Sequence, residues 1–345
     1  MRVAIHRREG EKVHSGSWSD AWGNWCKSNE VKYEYVDCLA LKSLDVLHDY
    51  DILLYHFGNY VYNDMKHARS VLYSAKQMGL KVFPDFPDAW HFDDKIAESF
   101  LLKSIGAPIP DSHVFFSKKE FYAWLDDQGE FPVVAKLKSG SGSHNVKMLN
   151  SREDAEKYAS VMFGKGFSSS PNPVFKASSN IRSARSFSEF KRRFKRIPEF
   201  LMTMKRSSEF ENEKGYVYLQ EFVENPGYDI KVAVVGEKVS YFVRRVRSGD
   251  FRASGGADFY YDRSHVPDNV VESALGVAKK LGMQCMGFDY VVDSETGQGL
   301  IVEMSYGFAH KAVIGAGGHW NAKGQWIEEP LNAPAEILEN MLAGQ

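Results

Sequence analysis

Hydrophobic and polar positions alternate with two different rhythms along the first 90 residues. Short apolar runs such as MRVAIH and DILLYHFG are separated by stretches with helical spacing, over 18–27 and over 63–78. Strands that alternate with helices are typical of a parallel sheet. The pattern therefore predicts a small α/β domain over 1–90. No glycine fingerprint of a dinucleotide site follows its first strand.

Beyond residue 90 the apolar runs are neighbours along the chain. The run over 229–236 turns at once into 238–246, and GFDYVVD and GLIVEMS flank a short turn over 294–298. Such neighbours predict antiparallel pairing. The predicted fold class is α/β and α+β, multidomain: a small parallel-sheet domain followed by mostly antiparallel sheets.

Composition restricts the class of protein. Hydrophobic residues make up 43% of the 345 positions and charged residues 26%, and no apolar run approaches the roughly 20 residues of a membrane span. The N-terminus lacks the apolar stretch of a signal peptide. The three cysteines, Cys26, Cys38 and Cys285, have no metal-type spacing, which is typical of reduced thiols. We therefore expect a cytoplasmic protein.

The net charge of −2 conceals one strongly basic segment. Residues 176–206 hold ten Lys and Arg against Glu189 and Glu199. Within this segment, FSEFKRRFKRIPEF (187–200) places phenylalanines at helical spacing between basic residues. This pattern predicts a basic amphipathic helix that binds an anionic substrate or partner. The alternative is a solvated helix that packs its phenylalanines on the domain.

The stretch FPVVAKLKSGSGSH (131–144) places Lys136 in an apolar run and then alternates serine with glycine. Glycine lets the backbone approach a ligand closely, and serine adds hydroxyl donors, so the loop over 139–143 suits a phosphate. The loop matches neither the P-loop pattern nor G-x-G-x-x-G. VKMLN (146–150), after the loop, is apolar enough to be the return strand of a β-hairpin. An ordinary hairpin turn is the alternative to a phosphate site.

Further polar residues interrupt the apolar strands. They are Gln220, Glu221, Asp229, Lys231, Asp289 and Glu303. A charge in a half-buried strand costs several kcal/mol unless it is paired or ligated. One such residue forms a structural ion pair, whereas several together with Lys136 indicate a shared ligand. Asp289 and Glu303, on paired strands, offer the oxygen ligands that Mg²⁺ prefers.

These motifs, in their order, resemble the ATP-grasp superfamily. The order is DK … PVVAKLKSGSGSHNV … YLQEFVENPGYDIKVAVVGEKV … RRVRSGDFRASGG … GFDYVV … LIVEMS. It is most similar to the ribosomal-protein glutamate ligases, glutathione synthetase and D-alanine–D-alanine ligase. The resemblance implies a pre-ATP-grasp domain over 1–90 and a two-lobed ATP-grasp fold. The small lobe would cover 91–223, with a basic insertion at about 165–214, and the large lobe 224–345.

The resemblance also implies a role for each matching residue. Contacts with the ATP phosphates are implied for Lys95, Lys136, Ser139, Gly140, Ser141, Gly142 and Ser143. Contacts with adenine and ribose are implied for Gln220, Glu221, Phe222, Val223 and Asp229. Lys231 and Arg252 would reach the γ-phosphate, and Arg244 or Arg245 would hold the substrate carboxylate. Magnesium ligands would be Asp289, Glu303 and Ser305.

Two departures from the family pattern affect these roles. The metal glutamate of the family is followed by x-Asn, where this chain has Met304 and Ser305. A serine hydroxyl is a poorer metal ligand than an amide carbonyl. The Arg-Ser-Asn run of the family is Arg252, Ala253 and Ser254 here. Both changes weaken the expected second metal site.

The resemblance implies an ATP- and Mg²⁺-dependent enzyme that joins a carboxylate to an amine through an acylphosphate and releases ADP. The expected substrates are small molecules, with an anionic sugar or peptide among them, and we expect a homo-oligomer without a membrane span. One alternative is a nucleotide-binding module without ligation. The other is a protein that binds a polyanion or nucleic acid through the basic insertion.

Overall fold

The computed structural model describes residues 1–8, 16–59, 61–140, 145–169, 211–246 and 259–344. It divides into two compact units. The first unit comprises Met1–Gly58, Asn63–Pro110 and Val223–Gln345, and the second comprises Asn59–Tyr62 and Asp111–Phe222. The three-domain division of the sequence stays a prediction beside these two units.

A four-stranded parallel sheet opens the first unit, in agreement with the strand–helix alternation. Its strands are β1 (Arg2–His6), β2 (Lys32–Val36), β3 (Ile52–Leu54) and β4 (Lys81–Phe83), in the order β2-β1-β3-β4. The helices of this region are α1 (Trp18–Ser28), α2 (Ser43–Leu47), α3 (Tyr62–Gln77), α4 (Phe86–Ala89) and α5 (Lys95–Ser104). The side chain of Ser17 caps α1 by accepting the Asp20 N–H, 3.1 Å away.

The second unit contains a four-stranded antiparallel sheet and a two-stranded ribbon. Its strands are β5 (Ser112–Phe115), β6 (Val133–Lys136), β7 (Lys147–Leu149), β8 (Phe167–Ser168), β9 (Asn212–Glu213) and β10 (Val217–Glu221). The sheet order is β5-β10-β6-β7, and β8 pairs with β9. The helices are α6 (Lys118–Asp127) and α7 (Arg152–Met162). The predicted return strand after the Ser/Gly loop is confirmed, because β7 pairs antiparallel with β6.

A larger antiparallel sheet completes the first unit. Its strands are β11 (Tyr228–Val235), β12 (Lys238–Arg245), β13 (Phe259–Tyr260), β14 (Cys285–Val292), β15 (Gly299–Ser305), β16 (His319–Trp320) and β17 (Trp326–Ile327). The order is β15-β14-β11-β12-β16-β17, with β13 on β12. The helices are α8 (Asp268–Leu281), α9 (His310–Ile314) and α10 (Ala333–Ala343), besides a 3₁₀ turn over Arg263–His265. The two predicted hairpins, β11–β12 and β14–β15, are confirmed.

The N-terminal and C-terminal parts of the first unit share one hydrophobic core. Trp22 of α1 is fully buried, and its indole N–H donates to the Pro334 carbonyl at the start of α10, at 3.0 Å. The buried hydroxyl of Tyr306 donates to the Phe57 carbonyl at 2.5 Å. Burying a large apolar side chain contributes about 1.5–3 kcal/mol, so these aromatic contacts join the two parts firmly.

All three cysteines are buried free thiols. Among the helices of the described residues, none is long and apolar enough to cross a membrane. The predicted fold class, with one parallel sheet and mostly antiparallel sheets elsewhere, is confirmed.

Candidate active site

Strand pairing gathers the predicted charged residues of the first unit on one face of the large sheet. Lys231 of β11 lies opposite Asp289 of β14, and Asp229 lies opposite Arg244 of β12. Asp289 in turn lies opposite Glu303 of β15. Directly paired residues point to the same face of a sheet, and positions two apart on one strand do so too. The register therefore explains why residues from four strands meet.

Four of these side chains form a buried ion cluster, which we call the β-sheet ion cluster. The Arg244 guanidinium donates to both oxygens of Asp229, from Nε at 2.6 Å and from Nη2 at 2.8 Å. Lys231 Nζ lies 2.7 Å from Asp289 Oδ1, and Arg244 Nη2 lies 3.2 Å from the same oxygen. Each of the four residues is at most 8% exposed. Two cations and two anions balance, which is the condition for burying charge.

The protonation of the cluster follows from these contacts. Burial by itself raises the pKa of Asp289, but Arg244 and Lys231 outweigh it and lower that pKa to about 2. Burial raises the pKa of Asp229 to about 6, and the bidentate Arg244 limits the rise. Asp289 is therefore a carboxylate at neutral pH, the form that ligates a metal.

Glu303 has a different partner, on helix α5. Lys95 Nζ lies 3.3 Å from Glu303 Oε1, and the Lys95 side chain is almost fully buried. Burial by itself lowers the pKa of Lys95, but Glu303, Asp93 and Glu98 together raise it above its ordinary value. The side chain of Lys95 therefore stays positively charged beside this predicted metal ligand.

Glu98 is a residue that the sequence did not indicate. It follows Lys95 by three positions on the inner face of α5, and its carboxyl Oε2 accepts the Met304 N–H at 3.1 Å. Burial raises the pKa of Glu98 to about 8, with a contribution from the charge of Glu303. The only signal in the sequence is a second charged residue on the face that carries Lys95. Glu98 fixes the backbone immediately after Glu303.

The acid pair fits Mg²⁺. This ion is usually held by one or two carboxylates, with waters and substrate phosphates completing its shell. Asp289 and Glu303 supply such a pair on adjacent strands. No cluster of three or more His, Cys, Asp or Glu residues that could hold a metal occurs in the described part of the chain. The Ser305 hydroxyl donates to the Gly307 carbonyl at 2.7 Å and accepts the Gly307 N–H.

In the second unit, Lys136 is held at the end of β6. Its ammonium group donates to Gln220 Oε1 at 2.5 Å, and the Gln220 amide donates to the Ser112 hydroxyl at 3.2 Å. Lys136 and Gln220 are both buried. The predicted residues after Gln220 differ in burial: Glu221, the last residue of β10, is exposed, Phe222 is half-buried, and Val223, in the first unit, is buried.

The start of the Ser/Gly loop is bound to Glu213, another residue that the sequence did not indicate. Its carboxylate accepts the N–H groups of Lys138 and Ser139, at 2.9 and 3.1 Å, and the Ser139 hydroxyl. The Tyr216 hydroxyl donates to it as well. Gly140 follows with φ +105°, a conformation that favours glycine. Glu213 lies 74 residues beyond Ser139, across the basic segment, so no local pattern connects them.

Other predicted residues are placed apart or fall elsewhere. Arg245, next to Arg244 on β12, points to the opposite face of the sheet from the acids and is exposed, with its guanidinium 4.3 Å from the centroid of the Tyr260 ring. The remaining predictions, Ser141, Gly142, Ser143, Arg252 and the basic helix over 187–200, lie outside the described residues.

Comparisons with known proteins agree with this architecture. No family model matches the chain. A D-alanine–D-alanine ligase from Bacillus anthracis, solved with ATP, superposes with a TM-score of 0.58 and 13% identity, covering 100% of this chain and 97% of that one. A RimK domain ATP-grasp protein from Sphaerobacter thermophilus superposes with a TM-score of 0.55 and 13% identity, over 99% and 100% of the two chains. The chain thus has the ATP-grasp fold.

Two proteins are similar in sequence. The alpha-aminoadipate–LysW ligase LysX of Saccharolobus solfataricus is 21% identical over 242 residues, which cover 69% of this chain and 71% of that protein. The tetrahydromethanopterin:alpha-L-glutamate ligase of Methanosarcina acetivorans is 28% identical over 146 residues, or 38% of this chain and 42% of the relative. The predicted resemblance to ATP-grasp ligases is confirmed.

Proposed function

We propose that the protein is an ATP-dependent carboxylate–amine ligase that releases ADP. The observation that carries the proposal is the register-paired Asp289 and Glu303 on β14 and β15, with Lys231 and Lys95 beside them. The comparisons support the same activity, because the relatives similar in sequence are both named ligases. One structural neighbour is a ligase solved with ATP.

The proposed reaction has two steps and needs no side-chain nucleophile. A carboxylate oxygen of the first substrate attacks the γ-phosphorus of ATP, the bond from γ-phosphorus to the bridging oxygen breaks, and ADP leaves. The amine of the second substrate then attacks the acyl carbon, phosphate leaves, and the amine loses a proton to solvent. Both steps concentrate negative charge, so stabilisation comes from fixed positive charges and positioning.

Named residues supply these charges in the proposed enzyme. Lys136 and Lys95 contact the phosphates, and Lys231 reaches the γ-phosphate. Asp289 and Glu303 hold Mg²⁺, which when bound would offset phosphate charge and orient the transferring group. The Arg244 guanidinium donates to Asp229 and forms an ion pair with Asp289. Its proposed role is therefore to keep Asp289 ionised and oriented rather than to bind the substrate carboxylate.

The relatives also suggest the class of amine. Their names specify alpha-aminoadipate and L-glutamate, both amino acids with a second carboxyl group. We propose an amino acid of this kind as the amine substrate here. The identity of the carboxylate, the anionic partner of residues 176–206 and the homo-oligomeric state stay predictions.

The test is to incubate the protein with ATP, MgCl₂, a pool of carboxylates and hydroxylamine, which traps an acylphosphate as a hydroxamate. We expect equal amounts of ADP, phosphate and hydroxamate, and the mass of the hydroxamate identifies the carboxylate. L-Glutamate and alpha-aminoadipate then replace hydroxylamine to test the amine.

Controls distinguish the proposed reaction from its rivals. The Glu303→Gln variant, which alters one metal ligand, should form no hydroxamate. Release of AMP and pyrophosphate would overturn the proposal in favour of adenylation. ATP binding without turnover in any substrate pool would favour a nucleotide-binding module.

A further inference from the structure

Both ends of the Ser/Gly loop are bonded to the short β8–β9 ribbon. At the start of the loop, the N–H groups of Lys138 and Ser139 donate to Glu213 of β9. At its end, the Asn145 side chain donates to the Ser168 carbonyl of β8, at 2.8 Å. Phe167 and Glu213 are partners in the ribbon. One small element therefore fixes where the loop begins and where it ends.

The Glu213 carboxylate accepts hydrogen bonds from both backbone and side-chain donors. Besides the two backbone N–H groups, it accepts the hydroxyls of Ser139 and Tyr216. The Tyr216 oxygen also accepts the Lys138 N–H at 2.7 Å. Tyr216 is buried, and burial together with the charge of Glu213 raises its pKa far above the ordinary value, so its hydroxyl keeps its proton. Hydrogen bonds to an ionised acceptor are about twice as strong as neutral ones.

The backbone around Glu213 is also built for this position. Gly166, just before β8, has φ +72°. A Cβ atom at Gly166 would lie 2.2 Å from the Glu213 carbonyl oxygen, which is a severe clash. Only glycine lets the two segments approach this closely. The placement of Glu213 thus depends on a second residue 47 positions earlier, rather than on a chance surface contact.

We propose that Glu213 is a positioning residue for ATP binding, which sets the path of the chain from Lys136 into the Ser/Gly loop. This inference rests on the proposed function. The Glu213 carboxylate accepts the N–H groups of Lys138 and Ser139, so it orients the backbone that follows Lys136, the residue proposed to contact the phosphates. The role predicts an effect on ATP affinity and little effect on the chemical steps.

The test is the Glu213→Gln variant, measured by calorimetric titration with ATP and MgCl₂. Glutamine keeps the size of the side chain but turns an NH₂ group toward donors, so part of the contact set is lost. We expect the Kd for ATP to rise about tenfold and kcat at saturating ATP to stay within about twofold. The matched control is Glu211→Gln: residue 211 is exposed, and its backbone carbonyl accepts the Ser169 hydroxyl. The Kd of this control should equal that of the unmodified protein.

Two further variants test the same positioning role without changing Glu213. Tyr216→Phe removes one hydroxyl donor from Glu213, and Asn145→Ala releases the other end of the loop. Each should raise the Kd for ATP about threefold without changing the thermal midpoint by more than a few degrees. If Glu213→Gln does not fold, these two variants decide the question.

The outcomes separate this inference from the proposed function. If the unmodified protein does not bind ATP, the proposed function fails. If it binds ATP and the three loop variants bind equally well or more tightly, the function stands and the role of Glu213 is overturned. A large loss of kcat with unchanged Kd would also overturn the positioning role.

Discussion

Charged groups are stabilised differently in two regions of the molecule. One region is the β-sheet ion cluster of the first unit, and the other is the start of the Ser/Gly loop around Glu213 in the second unit. In the cluster, two cations and two anions are buried together, and each charged group forms an ion pair with a group of opposite charge. The partly exposed carboxylate of Glu213 instead accepts hydrogen bonds from uncharged N–H and O–H groups. The first arrangement is held by three paired strands, β11, β12 and β14, and the second by a side chain that reaches across to a loop.

This difference predicts how substitutions in the two regions should affect stability and activity. Removing one partner of a buried ion pair leaves an uncompensated charge and costs about 3–5 kcal/mol. A hydrogen-bonded carboxylate near the surface can exchange its lost contacts for water, so its removal costs less. We therefore expect changes in the cluster to affect both stability and activity, and changes near the Ser/Gly loop to affect mainly ATP binding.

The largest expected effect is that of Asp289→Asn. This change removes a proposed metal ligand and leaves Lys231 and Arg244 with one anion between them. We expect kcat/KM to fall by at least about 10³-fold and the free energy of unfolding to fall by about 3–5 kcal/mol. Urea unfolding and ADP release measure the two effects. Glu272→Gln, at an exposed position of α8, is the control and should change neither. An active, fully stable Asp289→Asn protein would contradict both roles.

The next effect is that of Lys136→Met in the second unit. Methionine keeps the apolar stem in the core and removes the charge proposed to contact the phosphates. We expect the Kd for ATP to rise about 10²-fold, because one strong contact between a charged group and a phosphate is lost. Titration with ATP measures the effect, and exposed Lys119→Met is the control. Unchanged ATP affinity would remove Lys136 from the proposed site.

Two buried histidines of the first unit should make its stability depend on pH. Burial lowers the pKa of His6 and of His91 to about 4, against 6.5 for the unperturbed side chain. The unfolded chain then binds more protons at each histidine between these values, so the contribution of each histidine to stability is full above pH 6.5 and is lost as the pH falls toward 4. Each histidine contributes a slope of about 1.4 kcal/mol per pH unit between the two pKa values.

Urea unfolding at pH 7, 6 and 5 measures this slope. The His6→Gln variant should show a slope smaller by one proton than that of the unmodified protein. If the two slopes are equal, the burial of His6 does not govern the acid response.

The smallest expected effect concerns Ser305. Because its hydroxyl is bonded to Gly307, we expect Ser305→Ala to leave the Mg²⁺ concentration for half-maximal activity within about twofold. Ser305→Asn, which introduces an amide oxygen, should lower that concentration several-fold. A strong loss of Mg²⁺ response in Ser305→Ala would show instead that the hydroxyl is a metal ligand.

Much of the fold could be predicted because it is encoded locally. The alternation of strands and helices in the first 90 residues indicated the parallel sheet, and short turns indicated the β6–β7, β11–β12 and β14–β15 hairpins. The direct pairing of Asp289 with Glu303 does not follow from the regular register of this hairpin, in which Asp289 would lie opposite Val302. The register shifts between Asp289 and Tyr290, and this shift places Glu303 opposite Asp289. Lys136 was recognisable because a charge in an apolar strand needs a partner.

The sequence by itself therefore determined the elements, the class of fold and the strand-borne charges. Only the tertiary structure decided that the N-terminal sheet and the C-terminal sheet share a core, that Glu98 supports the strand after Glu303, and that Glu213 holds the Ser/Gly loop. It also decided that Arg244 is bound to Asp229 while Arg245 faces away. These contacts join residues from separate elements, so their geometry is set by packing and register, which no local period of hydrophobic and polar positions contains.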